Sequence, residues 1–301
     1  VKVVLAGGSG SLGRRIADVL AARGDEVVVL TRTVRPGAAH RQVAWDGVTV
    51  GEWADELSGA AVVNLAGRLV GDRPTAANIA LLTSSRVEPT RALAEAAALV
   101  AVAPPVWVQM STMAIYGDGG DRPIAETAPV ADGPAQMAGV ARPWEAAAEG
   151  VRADRQVVLR TGIVLDRDSH ALDMLATLVR AGLGGRWGTG RQWVSWLHID
   201  DLLAIVLRAL DDPAISGVVN ATSPRPVRNA ELMAALRNAL RRPIGLASPE
   251  PLLRLGAVLL RTDPELALLG RRGVPEKLLS EGFTFAYPDL APALEDLLRR
   301  S

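Results

Sequence analysis

The chain opens on an apolar run, Val3-Val4-Leu5-Ala6, that leads into Gly7-Gly8-Ser9-Gly10-Ser11-Leu12-Gly13. Leu12, Ile16, Val19 and Leu20 then recur at helical spacing as far as Gly24. Gly8, Gly10 and Gly13 satisfy GxGxxG, and Gly7, Gly10 and Gly13 satisfy GxxGxxG. The pattern alone is weak, but here it joins a strand to a helix, the context its mechanism requires. The first glycines permit a tight turn, the middle one lets backbone approach a pyrophosphate, and Gly13 lets helix and strand pack closely. Backbone N–H groups at Ser9, Ser11 and Leu12 would then face the phosphates at the positive end of the helix.

Further short apolar runs follow at Val27–Leu30, Ala61–Leu65, Val106–Met110, Val157–Leu159 and Gly217–Ala221. Continuous rather than alternating apolar runs suit parallel strands covered on both faces. Helical stretches separate them: Ala76–Ala103 with an expected break at Pro89, then Trp144–Val151, Asp200–Leu210 and Asn229–Arg241, the last capped by Asn229. Phe283, Phe285 and Tyr287 alternate as in a short strand, and Leu290–Leu298 reads as an amphipathic helix. The expected fold class is α/β, a Rossmann doubly wound parallel sheet with a smaller C-terminal α/β substrate domain. Residues 1–165, rejoined by about 196–222, form the dinucleotide domain. Residues 166–195 and 223–301 form the substrate domain, where the glycine-rich segment Gly182–Trp196 shapes a cleft.

The end of the second strand selects the dinucleotide. NAD sites place Asp or Glu there, about 20 residues beyond the turn, on the ribose 2′-hydroxyl. This chain has Thr31-Arg32 instead, and no acidic residue between Val27 and Trp45. A guanidinium and a hydroxyl suit a 2′-phosphate, so NADP(H) is expected in preference to NAD(H).

Composition removes several alternatives. The chain lacks cysteine, so disulfides, thiolate metal sites and a thiol nucleophile are excluded. His40, His170 and His198 are the only histidines and are far apart, so no metal site is expected. The 33 basic and 33 acidic residues cancel, which argues against nucleic acid or an anionic membrane as a partner. No apolar run approaches the roughly 20 residues of a membrane span. A cytoplasmic protein acting on a small molecule is expected, with its substrate and oligomeric state left open.

These motifs are joined by Asn64-Leu65-Ala66-Gly67, Ser84-Ser85-Arg86-Val87, Ile115-Tyr116-Gly117-Asp118, Trp144-Glu145 and Arg160–Leu165. Gly190-Arg191-Gln192-Trp193, Trp196–Asp201, Asn220-Ala221-Thr222 and Pro275–Asp289 complete the set. In this order they resemble the extended short-chain dehydrogenase/reductases. More narrowly, they resemble the atypical epimerase-like family of the NAD-dependent epimerase/dehydratase superfamily that carries a characteristic C-terminal domain. The resemblance spans essentially the whole chain. It implies that Leu65, Ala66 and Gly67 meet the dinucleotide along their backbone, that Arg86 reaches it from the long helix, and that Val164 lies at the nicotinamide end.

Active members of the superfamily transfer a proton with Tyr-x-x-x-Lys. Here Gly120 and Ala291 lie four residues after the only tyrosines, Tyr116 and Tyr287, and Gly273 lies four before Lys277, so the pair does not exist. Alignment puts Val140 and Trp144 in its place. Candidate substitutes are Ser111 and Thr112, as hydroxyls that hold a substrate carbonyl, and Tyr116 as a proton donor. Glu145 is expected on a helix surface, and His198 in a structural role. Two readings follow. One is an NADP(H)-dependent, epimerase-like oxidoreductase acting on a small carbonyl or hydroxyl compound, such as a sugar derivative. The other is a non-catalytic module that binds or senses NADPH.

Overall fold

In a computed structural model, which describes residues 1–298, seven parallel strands form the central sheet. In chain order they are β1 (Lys2–Ala6), β2 (Glu26–Thr31), β3 (Arg41–Ala44), β4 (Ala61–Asn64), β5 (Trp107–Thr112), β6 (Gln156–Thr161) and β7 (Gly217–Ala221). Across the sheet the order is β3-β2-β1-β4-β5-β6-β7. The order reverses at β1, between β2 and β4, and the crevice at that reversal is where doubly wound sheets take ligands.

The apolar runs are continuous because both faces of the sheet are covered. Val3 and Leu5 of β1 pack with Ile16 and Leu20 of α1 (Ser11–Ala22) and with Leu202 and Val206 of a later helix, Ile199–Asp211. Val4 and Ala6 point the other way, toward Leu93, Ala96 and Ala97 of α2 (Ala76–Leu99) and toward Trp53 and Leu57. Each fully buried valine, leucine or isoleucine among them contributes about 1.5–3 kcal/mol.

Four expectations need correction. Pro89 does not break α2, which runs unbroken through it; the lost hydrogen bond is offset by burial of Leu82, Val87, Leu93 and Ala96 on either side. The helix expected at Trp144–Val151 is α3, Ala138–Ala147, which accommodates Pro143 rather than starting after it. Phe283–Tyr287 is not a strand. The N–H groups of Ala286 and Tyr287 go to the carboxylate of Asp201, at 2.7 and 3.0 Å, instead of to a neighbouring strand. Asn229 does not cap its helix, Asn229–Ala239; its Oδ1 accepts from the backbone N–H of Trp187 at 2.8 Å. The edge strand β3 was not anticipated.

The remaining segments project from the C-terminal ends of the strands. After β6, Ile163–Leu165 pairs in parallel with Trp196–His198. Pro123–Ile124, in the loop that follows β5, pairs with Arg272–Gly273 near the C-terminus. Helices His170–Arg180, Asn229–Ala239 and Leu290–Leu298 contribute Leu175, Leu232, Leu236 and Leu294 to the same core. Among the described residues no helix is long and apolar enough to cross a membrane.

Candidate functional site

The glycine turn sits at the sheet reversal, and its glycines have different physical causes. Gly7 has φ +76°, and a Cβ there would lie 2.9 Å from the Cα of Ala66. A Cβ on Gly13 would lie 2.4 Å from the Cα of Gly8, so helix and turn touch backbone to backbone. Gly10 differs from both. Its backbone is extended (φ −72°, ψ 174°), and a Cβ would meet only the Gly7 oxygen, at 3.5 Å. Among the described residues no packing requires glycine at this exposed position. Helix α1 starts at Ser11 and Leu12 with no capping side chain and no acidic residue in its first turn. Ser9 and Gly10 are exposed, so the positive end of the helix opens on the crevice.

Ser9, Thr31 and Arg32 gather at the end of β2. The Thr31 hydroxyl is 3.5 Å from that of Ser9 and donates to the Thr33 carbonyl at 3.3 Å. Arg32 is exposed, with no hydrogen-bond or carboxylate partner among the described residues.

On the other side of the reversal, Asn64 shapes the turn after β4. Its Nδ2 donates to Thr90 Oγ1 (2.8 Å) and Gln109 Oε1 (3.0 Å), while its Oδ1 accepts from the Ala66 N–H (3.1 Å). The Leu65 N–H pairs with the Ala6 carbonyl at 2.9 Å. This holds Ala66 against Gly7 and leaves Gly67 exposed. Arg86 lies over Gly67: a Cβ there would be 3.2 Å from the guanidinium carbon. That carbon is 5.1 Å from the centroid of the Trp144 ring. Arg86 is buried and has no carboxylate partner among the described residues, and desolvation brings its pKa down to about 10. It is therefore still charged at neutral pH. Val164 is half-buried in the short strand after β6, paired with Leu197.

The three candidate hydroxyls at the end of β5 have different surroundings. Ser111 is buried and donates its proton to Glu145. Thr112 is half-buried; its oxygen accepts the Ala114 N–H at 3.1 Å, which starts a short helical turn, Met113–Tyr116. The Tyr116 hydroxyl is buried. It donates to Asn220 Oδ1 (3.1 Å) and accepts from Arg160 Nη1 (2.8 Å). Burial pushes its pKa up, against the pull of Arg160.

Glu145 is not a surface residue. Its side chain is 16% exposed and takes both prongs of Arg160, Nε at 2.9 Å and Nη2 at 2.7 Å. Burial works against the Arg160 charge, but Glu145 outweighs it and holds the guanidinium above its ordinary pKa. The network ends at Asn220, whose amide nitrogen donates to the carbonyls of Ile124 (3.2 Å) and Val274 (3.1 Å). Asn220 thereby ties β7 to the strand Pro123–Ile124 and to the residue that follows Arg272–Gly273. The sequence motifs included Arg160 and Asn220, but nothing in their spacing showed that they meet.

His198 is buried. Its Nδ1 accepts the Asp200 N–H at 3.1 Å to cap the helix Ile199–Asp211, and its ring stacks on Tyr287 with centroids 3.8 Å apart. Farther out, the Gly182–Trp196 segment borders a hollow of about 290 Å³ lined by Asp118, Asp121, Arg191, Trp193 and Arg228. The Arg228 guanidinium lies 3.8 Å over the Trp193 ring.

The model of the NAD dependent epimerase/dehydratase family matches residues 3–139, and that of a domain of unknown function, DUF1731, matches residues 248–297. "Epimerase family protein SDR39U1" of Bos taurus is 33% identical over 99% of this chain and 100% of its own length. A crystal structure of human SDR39U1 with NADPH superposes with TM-score 0.88 at 31% identity, covering 99% of each chain. A nucleoside-diphosphate sugar epimerase from Corynebacterium glutamicum gives TM-score 0.80 at 32% identity, over 99% of this chain and 58% of that one. With the dinucleotide-type crevice at the sheet reversal and relatives matching from end to end, the chain belongs to the NAD dependent epimerase/dehydratase family, in the SDR39U1 branch that carries DUF1731 at the C-terminus.

Proposed function

We propose that this protein binds a nicotinamide dinucleotide, NADP(H) in preference to NAD(H), as an epimerase-like oxidoreductase acting on a small carbonyl or hydroxyl compound. The observation that carries the reading is Gly10, a glycine that no packing among the described residues needs and that leaves the crevice open where a pyrophosphate approaches. Gly7–Gly13 would hold the pyrophosphate. Ser9, Thr31 and Arg32 would hold the 2′-phosphate; Leu65, Ala66, Gly67, Arg86 and Val164 would face the nicotinamide half. Human SDR39U1, crystallised with NADPH, supports the choice of cofactor.

When bound, the nicotinamide supplies a hydride donor or acceptor. The chain's own residues orient the substrate. Thr112 is the best placed of the three hydroxyls, because its proton has no acceptor among the described residues and can go to a substrate oxygen. Ser111 and Tyr116 act by fixing Glu145 and Arg160 around it. Residues 166–195 and 223–301 serve as the substrate-facing part. A cytoplasmic setting fits the cysteine-free composition.

A second reading, an NADPH-binding module without turnover, is favoured by Val140 and Trp144, which stand where the proton-transfer pair would be. Fluorescence titration with NADPH and NADH tests the shared part. NADPH should bind more tightly, and R32A should weaken NADPH about 10- to 100-fold while leaving NADH unchanged. Equal affinities would refute the 2′-phosphate assignment. Turnover with any member of a carbonyl panel would then exclude the non-catalytic reading.

A further inference from the structure

The helix Glu250–Leu260 keeps most of its apolar side chains in solvent. Leu252, Leu255, Val258 and Leu259 are 54–74% exposed, and Ala257 is the one buried residue among those described. At about 3.6 residues per turn, Pro251, Leu252, Leu255, Val258 and Leu259 form one continuous outward face without a charged side chain. Polar contacts fasten the segment to the body: Arg73 donates to the Val258 carbonyl, and Asp263, just beyond the helix, accepts from Gln136 Nε2 at 2.8 Å. Ile244, Leu246 and Leu266, on either side in the chain, are exposed as well. At roughly 100 Å² each, these seven side chains present on the order of 700 Å² of apolar surface. That exceeds the roughly 300–600 Å² of the largest patch on a typical monomer and comes near the ~800 Å² per partner of a standard interface. Helix α2, by contrast, turns Glu88, Arg91 and Glu95 outward.

The face has the pattern of a helix–helix contact. Leu252, Leu255, Gly256 and Leu259 recur at i, i+3, i+4 and i+7. Glycine is a poor residue for a helix interior. A Cβ on Gly256 would meet no atom within 4 Å, so no packing among the described residues needs a glycine there. Its missing side chain leaves a notch beside Leu255. Consider two antiparallel copies of the helix, related by a two-fold axis that passes between residues 255 and 256. Leu255 of each copy then enters the Gly256 notch of the other, and Leu252 of each lies against Leu259 of the other. The notch lets the axes approach at the short end of the usual spacing of about 8–10 Å. The surface is complementary to itself. An anionic membrane matches it less well, because the polar border, Glu250, Arg254 and Glu265, is net negative. Arg254 is already committed to both glutamates, at 2.9 and 3.2 Å.

We infer that the helix Glu250–Leu260 is the seam of a homodimer, covered by the same helix of a second copy of this chain in an antiparallel, two-fold contact centred on Leu255 and Gly256. The inference goes beyond the dinucleotide reading and does not depend on it. It gives the C-terminal segment that matches DUF1731, residues 248–297, a role in carrying the contact between subunits. Through Arg73 and Gln136 the seam is tied to the segments that follow β4 and precede α3, which border the crevice.

The test is sedimentation velocity of the full chain, L255E and G256L between about 1 and 100 µM, the weak end of what an interface of this size gives. The wild type should sediment as a dimer within that range. L255E sets a charge at the centre of the seam and should raise the dissociation constant at least about 30-fold. G256L fills the notch and should weaken the dimer at least about tenfold, although leucine suits a helix better than glycine. Both positions face solvent in the single chain, so both variants should melt no lower than the wild type, which separates lost association from lost folding. The chain has no cysteine, so L255C offers a single thiol. A short bismaleimide should join L255C into dimers and leave L99C, exposed at the end of α2, as single chains. A wild type that stays monomeric at every concentration would overturn the inference, and its pelleting with phosphatidylserine vesicles would assign the face to a lipid surface instead. A dimer that L255E and G256L leave intact would overturn it too, by placing the contact on another face.

Discussion

Replacing Gly10 by alanine and, separately, Gly13 by alanine should separate ligand space from packing space three residues apart in one turn. At Gly13 the added methyl would lie 2.4 Å from the Gly8 Cα and 2.6 Å from both its carbonyl carbon and oxygen, all of it backbone. An ordinary contact is about 3.5–4.0 Å. Helix α1 would have to move by about 1 Å, which puts the cost near the upper end of the 1–3 kcal/mol typical of overpacking. For a chain of this size that corresponds to a drop in Tm of about 4–5 °C. At Gly10 the nearest heavy atom is 3.5 Å away and the backbone is extended, a conformation open to any residue. Alanine there loses a little as a helix cap but gains a stiffer unfolded chain, and the two terms nearly cancel, to within about 0.5 kcal/mol. Its methyl would, however, stand where the pyrophosphate approaches. The assay is a thermal melt of each variant followed by NADPH titration. G10A should melt like the wild type and bind NADPH at least about tenfold more weakly, or 1.4 kcal/mol; G13A should fail first in the melt. Wild-type NADPH affinity in G10A would refute the argument, as would a Tm loss equal to that of G13A.

Two further outcomes follow from the buried polar groups. R160M leaves the Glu145 carboxylate unpaired in a pocket where the two side chains are 8% and 16% exposed, and should cost about 3–5 kcal/mol in urea unfolding; a loss under about 1 kcal/mol would show that the pair is not effectively buried. Burial lowers the pKa of His198, so the sign is set by the unfolded chain, which takes up a proton first as pH falls through about 6.5. Stability should therefore decline from that pH down to the lower folded pKa, by at most about 1.4 kcal/mol per pH unit, and H198N, which keeps a capping side chain, should flatten that decline in urea unfolding at pH 8, 6.5 and 5.5. An unchanged slope would refute this.

What could be read from the sequence was local. The glycine turn, the apolar strands and α1 are each specified within a dozen residues, so motif, apolar run and periodicity located them. The alternation of Phe283, Phe285 and Tyr287 misled, because a distant carboxylate, Asp201, takes the N–H groups that a strand would have offered. Glu145 looked like a helix-surface residue because its partners, Ser111 and Arg160, come from two strands distant in sequence, β5 and β6. In the same way, Arg86 could be placed on the long helix, but its uncompensated charge is visible only once Gly67 and Trp144 are known to surround it.

The position of β7 also sets a timetable for synthesis. It pairs with β6 in register from Gly217 against Val157 to Ala221 against Thr161, yet 55 residues separate the end of one strand from the start of the other. As the chain leaves the ribosome, β6 presents a bare parallel edge, with Val157 and Leu159 fully buried in the finished sheet, until β7 arrives to cover it.

 Val157 and Leu159 of that edge are apolar on their own face of the sheet, and parallel pairing over a long separation forms slowly. Chains halted before residue 217 should therefore be prone to sticking to one another edge to edge. In this fold, solubility during synthesis depends on a strand that carries part of the polar network, Asn220, and reaches the sheet last.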